Sequence, residues 1–156
     1  MLEEHNKAME ITFKIRGHVI NQVINLEVVI TEFIAIHFCS DQAKQESFEK
    51  LFLWHNGMGL TRKKEILKFI VDNYEPDIIK GHPDTFKDLD EIIKCRNVLA
   101  HYYLDSAPGF LAKSSDGKFG FKGYKKPDDV SEYDLDKLER ITDLANKYTT
   151  IFLHWR

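Results

Sequence analysis

Apolar side chains recur every three or four positions from about Met9 to Phe38, at Ile11, Ile15, Val19, Val23, Leu26, Ile30 and Phe33 with Ile34. That period puts them on one side of an α-helix and predicts a single long helix over 9–38. In its second half Ile20, Ile24, Val28 and Ile36 widen the stripe. A helix apolar on nearly all sides is either central to a bundle or turned also toward a second chain. Gly17 inside it costs about 1 kcal/mol against alanine and is tolerable. A break is expected at Ser40 to Gln45.

A second, short helix is predicted over Ser47 to His55, closed by Asn56-Gly57, two residues that accept positive φ in a turn. The third opens at Thr61 as N-cap and runs to about Tyr74, where Pro76 bars its continuation. Another begins after Pro83 with Asp84 as N-cap and carries Phe86, Leu89, Ile92, Ile93, Ala100 and Leu104. From 105 to 130 the glycines and prolines exclude a helix. Phe110 to Lys113 and Lys118 to Tyr124 flank Ser115-Asp116-Gly117, the pattern of a β-hairpin. Ser131 and Asp134 then resemble a capping box before a C-terminal stripe of Leu135, Leu138, Ile141, Leu144, Ala145, Tyr148 and Phe152. The fold class expected is all-α: an antiparallel four- to five-helix bundle with a small β-hairpin insertion before the last helix, as one domain over 1–156.

Composition narrows the setting. At 156 residues the chain is about one domain long. Its start lacks a basic region followed by an apolar core, so no export is expected. The apolar stretch over 19–38 is interrupted by Asn21, Gln22, Asn25, Glu27 and Glu32, which argues for a soluble core rather than a membrane span. Two cysteines without spaced partners suit a reducing cytoplasm. A net charge of −3 excludes a general nucleic-acid coat, so any RNA contact has to be local.

The one stretch that asks for chemistry is Arg96-Asn97-Val98-Leu99-Ala100-His101-Tyr102-Tyr103. At 100° per residue Arg96 falls among Leu89, Ile93 and Ala100, inside the apolar arc of its helix, with Tyr103 returning beside it. Asn97 and His101 are four apart and share the edge of that arc, so the amide could orient the imidazole. The plain alternative is that Arg96 snorkels to a carboxylate while His101 caps the helix end.

Arg96-Asn97-Val98-Leu99-Ala100-His101 resembles the R-x(4–6)-H signature of the HEPN superfamily, including the polar residue that the family favours after the arginine. The resemblance is specific for this helix and covers the rest of the chain only as architecture. It implies a four- or five-helix bundle that dimerises and brings two copies of the motif into one cleft. It also implies one of two functions. The first is a metal-independent endoribonuclease of toxin–antitoxin or other defence systems; the second is a non-catalytic module that binds nucleotide or protein. His101-Tyr102-Tyr103 completes the R-x(4)-H-x-Y form of HEPN toxins paired with minimal nucleotidyltransferase antitoxins, which makes Tyr103 the expected target of silencing adenylylation. A lysine- and phenylalanine-rich hairpin and a long first helix depart from that subgroup and put the partner in question.

The chemistry such a site performs is RNA self-cleavage, with the ribose 2′-OH attacking the adjacent phosphate and no metal or cofactor required. Imidazoles titrate near neutrality, which suits His101 to proton transfer. Arg96 suits the growing charge on the phosphate oxygens. Residues 109–126 hold Lys113, Lys118, Lys122, Lys125 and Lys126 against Asp116 alone, interleaved with Phe110, Phe119, Phe121 and Tyr124. Lys118, Lys122 and Tyr124 are therefore candidates for phosphate and base contacts. Against this, Phe119 and Phe121 share one strand face and would ordinarily pack inward while the lysines stay wet. The remaining histidines have no HExxH, HxH or cysteine-rich spacing, so no metal site is expected.

Overall fold

A computed structural model describes residues 2–105, 116–123, 128 and 130–155. Among these the chain is mostly helical, with six α-helices and one small antiparallel sheet. In order they are α1 (Leu2–Phe38), α2 (Gln42–Phe48), a π-helical turn (Glu49–Leu53), α3 (Leu60–Asn73), α4 (Pro76–Gly81), α5 (Thr85–His101), β1 (Tyr102–Leu104), β2 (Lys118–Gly123), β3 (Val130–Asp134) and α6 (Leu135–His154).

Several boundaries depart from the periodicity for local reasons. The expected break after α1 shrinks because Asp41 accepts from the Lys44 amide at 3.0 Å and starts α2 early. Gly59, not Thr61, precedes α3, without a side-chain cap. Pro76 does end α3, but it also opens α4, since the missing N–H is harmless at the first helical position. The turn at Asn56-Gly57 closes by Met58 N donating to the His55 carbonyl at 2.8 Å, without positive φ. Asp134 alone caps α6, accepting from the Lys137 amide at 2.8 Å, while Ser131 lies in β3.

The chain divides into two compact units. The first comprises residues 1–23 and 94–143 and contains the whole sheet, in the order β1-β2-β3. The anticipated partner of Lys118–Gly123, Phe110 to Lys113, lies outside the described residues. Within them β2 pairs instead with Tyr102–Leu104 on one side and Val130–Asp134 on the other. Alternation along β2 sends Phe119 and Phe121 inward, both almost fully buried, with Phe121 edge-on to Tyr133 at 6.0 Å. Gly117 has φ +72° in the turn before β2, and a Cβ there would come within 3.0 Å of Leu135.

The second unit, residues 24–93 and 144–156, is built around Leu26, Ile30 and Ile34 of α1, none of them exposed, with Phe33 against Phe152 at 5.7 Å. Two buried polar pairs lie in it. Tyr148 donates to Asp88 Oδ2 at 2.6 Å, and burial, reinforced by that carboxylate, pushes the phenol above its ordinary range. Lys63 is fully buried and donates to Glu27 Oε1 at 2.8 Å with its ammonium 3.7 Å from the centre of the Trp54 ring. A string of rings also runs along this unit: Phe52, Phe48, Phe38, His37, Tyr74 and Phe69, each within 6.2 Å of the next. Phe38, Phe52, Phe69 and Tyr74 are each at least half exposed.

By length and composition α1 does contain a segment, Met9–Phe38, able to cross a membrane, despite the polar residues within it; half of its most apolar window is buried inside the protein.

Candidate functional site at the end of α5

The final turns of α5 carry Arg96, Asn97 and His101. The buried side of this helix begins at Leu89, Ile92 and Ile93 but ends at Cys95, Val98 and Leu99. It thus rotates along the helix, away from Ala100, which is exposed. Arg96 consequently sits half-buried at the edge of the arc rather than within it, and Asn97 and His101 are exposed. Arg96 Nη1 donates to Asn97 Oδ1 at 3.1 Å, so the amide turns toward the guanidinium.

Tyr103 does not return to the side of Arg96 as a helical residue would. The helix stops at His101, and Tyr103 is the middle residue of β1, directly across from Lys122. The residue is 43% exposed. At this junction stands a residue that sequence reading missed. Arg16 of α1 donates from Nη2 to the carbonyls of Leu99 and Tyr102, the latter at 3.0 Å, with its guanidinium 5.7 Å from the Phe121 ring centre. Both acceptors lie where a helix end leaves carbonyls unpaired and partially negative. Burial draws the Arg16 guanidinium below its ordinary range. The signal was available: Arg16 lies between Ile15 and Val19, a charge within an apolar stripe, the same anomaly that drew attention to Arg96.

The basic segment splits in two. Lys118 is exposed and lies across from Asp134. Lys122 instead reaches Asp105, pairing at 3.0 Å with a carboxylate whose side chain is 3% exposed. Asp105 is held there by its own amide, which donates to the Gly120 carbonyl at 2.7 Å. Among the described residues this face of the sheet thus sets Lys118 and Lys122 beside Asp105, Glu132 and Asp134, two lysines against three carboxylates. Tyr124, Lys113, Lys125 and Lys126 lie outside the described residues.

No family model, curated protein or solved structure matches the chain.

Proposed function

We propose that this chain is a metal-independent endoribonuclease of HEPN type, a cytoplasmic toxin or defence component whose helices form an antiparallel bundle. The observation that carries the reading is the grouping of Arg96, Asn97 and His101 at one solvent-facing helix end, with Arg96 and Asn97 in contact at 3.1 Å.

In this reading the 2′-oxygen forms a bond to phosphorus as its proton passes to one His101. The P–O5′ bond breaks and a second imidazole protonates the departing 5′-oxygen, leaving a cyclic phosphate and a 5′-hydroxyl. Arg96, oriented by Asn97, neutralises the phosphate oxygens as charge gathers on them. One chain supplies one His101, so the reaction calls for a homodimer. The string of rings in the second unit offers a surface for partners: at ~150–250 Å² per aromatic side chain, four half-exposed rings present on the order of 400 Å², within the range of the largest patch on a typical monomer. Tyr103, exposed on β1, is the residue a nucleotidyltransferase antitoxin would modify. The engagement of Lys122 by Asp105 favours the second reading, a non-catalytic HEPN-like module that binds nucleotide or protein.

The deciding experiment incubates wild type, Arg96→Ala and His101→Ala with single-stranded RNA in excess EDTA, after sedimentation has established folding and dimerisation. Cleavage by wild type alone, leaving cyclic phosphate ends, is the expected result. Equal inertness of all three folded dimers would discard the nuclease and leave the binding module.

A further inference from the structure

A cleft of about 470 Å³ opens in the first unit between α1 and α6, remote in sequence from the Arg96 motif. Its apolar side comes from Ile15, Val19, Leu135 and Leu138, of which Val19 and Leu138 are almost wholly buried. Glu139 and Asp143 line it from α6, and Lys14 and His18 from α1. The size lies within the ~300–1,000 Å³ typical of small-molecule sites, and an apolar body with a few polar groups is their usual make-up.

The charges identify the ligand class. Glu139 and Asp143 are exposed and four residues apart, so they stand one above the other on the helix, where like charges repel. Among the described residues neither has an ion-pair partner. Lys147, the next cation one turn beyond Asp143, is turned toward Asp88 and the Tyr148 hydroxyl. Lys14 is drawn to Glu10 at 2.8 Å. A favourable helix dipole accounts for Asp136 in the first turn of α6, but it fades before Asp143, two turns further on. We infer that this cleft binds an amphiphilic organic cation: a hydrocarbon or aromatic body against Ile15, Val19 and Leu138, and an ammonium between Glu139 and Asp143. The inference does not depend on RNA cleavage.

The test uses the full chain and a matched pair of probes, phenethylammonium and 3-phenylpropionate, which share a body and differ in the sign of the head group. Titration followed by amide NMR should give saturable shifts with phenethylammonium at Ile15, Val19, Leu138 and Thr142, the last also lining the cleft, and none with 3-phenylpropionate. The Glu139→Gln/Asp143→Asn variant should bind at least tenfold more weakly, whereas Asp136→Asn, the loss of one carboxylate of the same helix outside the cleft, should bind as wild type. Circular dichroism confirms that both variants are folded. Ile15→Trp, which fills the cleft and leaves the carboxylates in place, should abolish the shifts. Equal binding of the two probes, undiminished binding by the folded double variant, or no saturable response at about 10 mM, equivalent to roughly 3 kcal/mol of binding, would each overturn the assignment.

Discussion

Arg16 Nη2 donates to the Tyr102 carbonyl across 3.0 Å, so the strand that follows the Arg96 motif is held by the first helix of the chain. The same guanidinium takes the Leu99 carbonyl, and together the two bonds mark where helix becomes strand. Replacing Arg16 by Met keeps much of the stem and removes both bonds. With hydrogen bonds to charged groups worth about 1.5–3 kcal/mol each, Arg16→Met should lose at least the worth of one such bond in urea titrations. It should also speed hydrogen exchange selectively at the amides of β1 and the last turn of α5. Arg16→Lys should recover only part of the loss, because a point-like ammonium does not reproduce a planar fork spanning two acceptors. Uniformly faster exchange throughout the chain would show that Arg16 serves general stability and not this junction.

Lys122 and Lys118 share one face of the same strand, but Lys122 is paired with Asp105 and Lys118 is exposed, so their substitutions should separate. Lys122→Met removes the cation beside an almost fully buried Asp105 carboxylate and should cost about 1–3 kcal/mol. Lys118→Met, on an exposed position, should stay within about 0.5 kcal/mol. Thermal melts of the two variants side by side decide the matter. Were Lys122 an RNA-contacting residue with no structural duty, the two melts would coincide and only RNA affinity would fall.

Burial raises the Glu49 carboxyl above the ordinary carboxylate value, and the neighbouring charge of Glu32 raises it further; Lys63 and a hydrogen bond with Trp54 oppose them. A carboxyl whose pKa is higher in the folded chain than in the unfolded one favours folding below the unfolded value, and that advantage is lost as pH rises through the folded value. At neutral pH the ionised group is therefore a liability. Glu49→Gln should melt higher than wild type at pH 7. The difference should shrink as pH falls through the carboxylate range and vanish once Glu49 is protonated in both states. A gain that persisted at pH 3 would mean that packing, not charge, was at work.

The parts legible in the sequence are those governed by period and by single residues with one conformational meaning. The stripe from Val19 to Ile34 reports α1, and Phe119 and Phe121 report the inward face of β2, because alternation and burial are the same fact seen twice. The turn at Asp116-Gly117 could be read because glycine tolerates the φ of +72° that Gly117 adopts. What could not be read depends on residues distant along the chain. Nothing local to Tyr102-Tyr103-Leu104 says strand: helical phase continues through Leu104, and only the pairing with β2 and the grip of Arg16 end the helix at His101. Likewise, Arg96 was placed inside the apolar arc because a fixed 100° step cannot show that the buried side turns toward Val98 and Leu99. The polar trio itself was visible, since a charge on an apolar stripe is conspicuous at any register. The pairing of Lys122 is hidden for a simpler reason, as Asp105 sits seventeen positions away and faces it only once the sheet has formed.

Lys63 sets the sharpest test of the packing. Its side chain is fully buried, its ammonium is 2.8 Å from Glu27 Oε1, and the Trp54 ring covers it at 3.7 Å. Taking a charge out of water costs several kcal/mol, repaid only while the partners remain in place. Lys63→Met leaves Glu27 charged and largely enclosed, and should destabilise by about 3–5 kcal/mol. Removing both charges with Lys63→Met/Glu27→Gln should recover most of that loss, since an amide is far cheaper to enclose than an unpaired carboxylate. Trp54→Leu, which keeps the ion pair and deletes the ring, should cost less, about 1–2 kcal/mol for the lost cation–π contact. The informative quantity is the coupling between Lys63 and Glu27 in a double-mutant cycle. Strong positive coupling identifies the enclosed pair as the source of the effect, whereas additive losses would mean that Lys63 acts through its hydrocarbon stem alone.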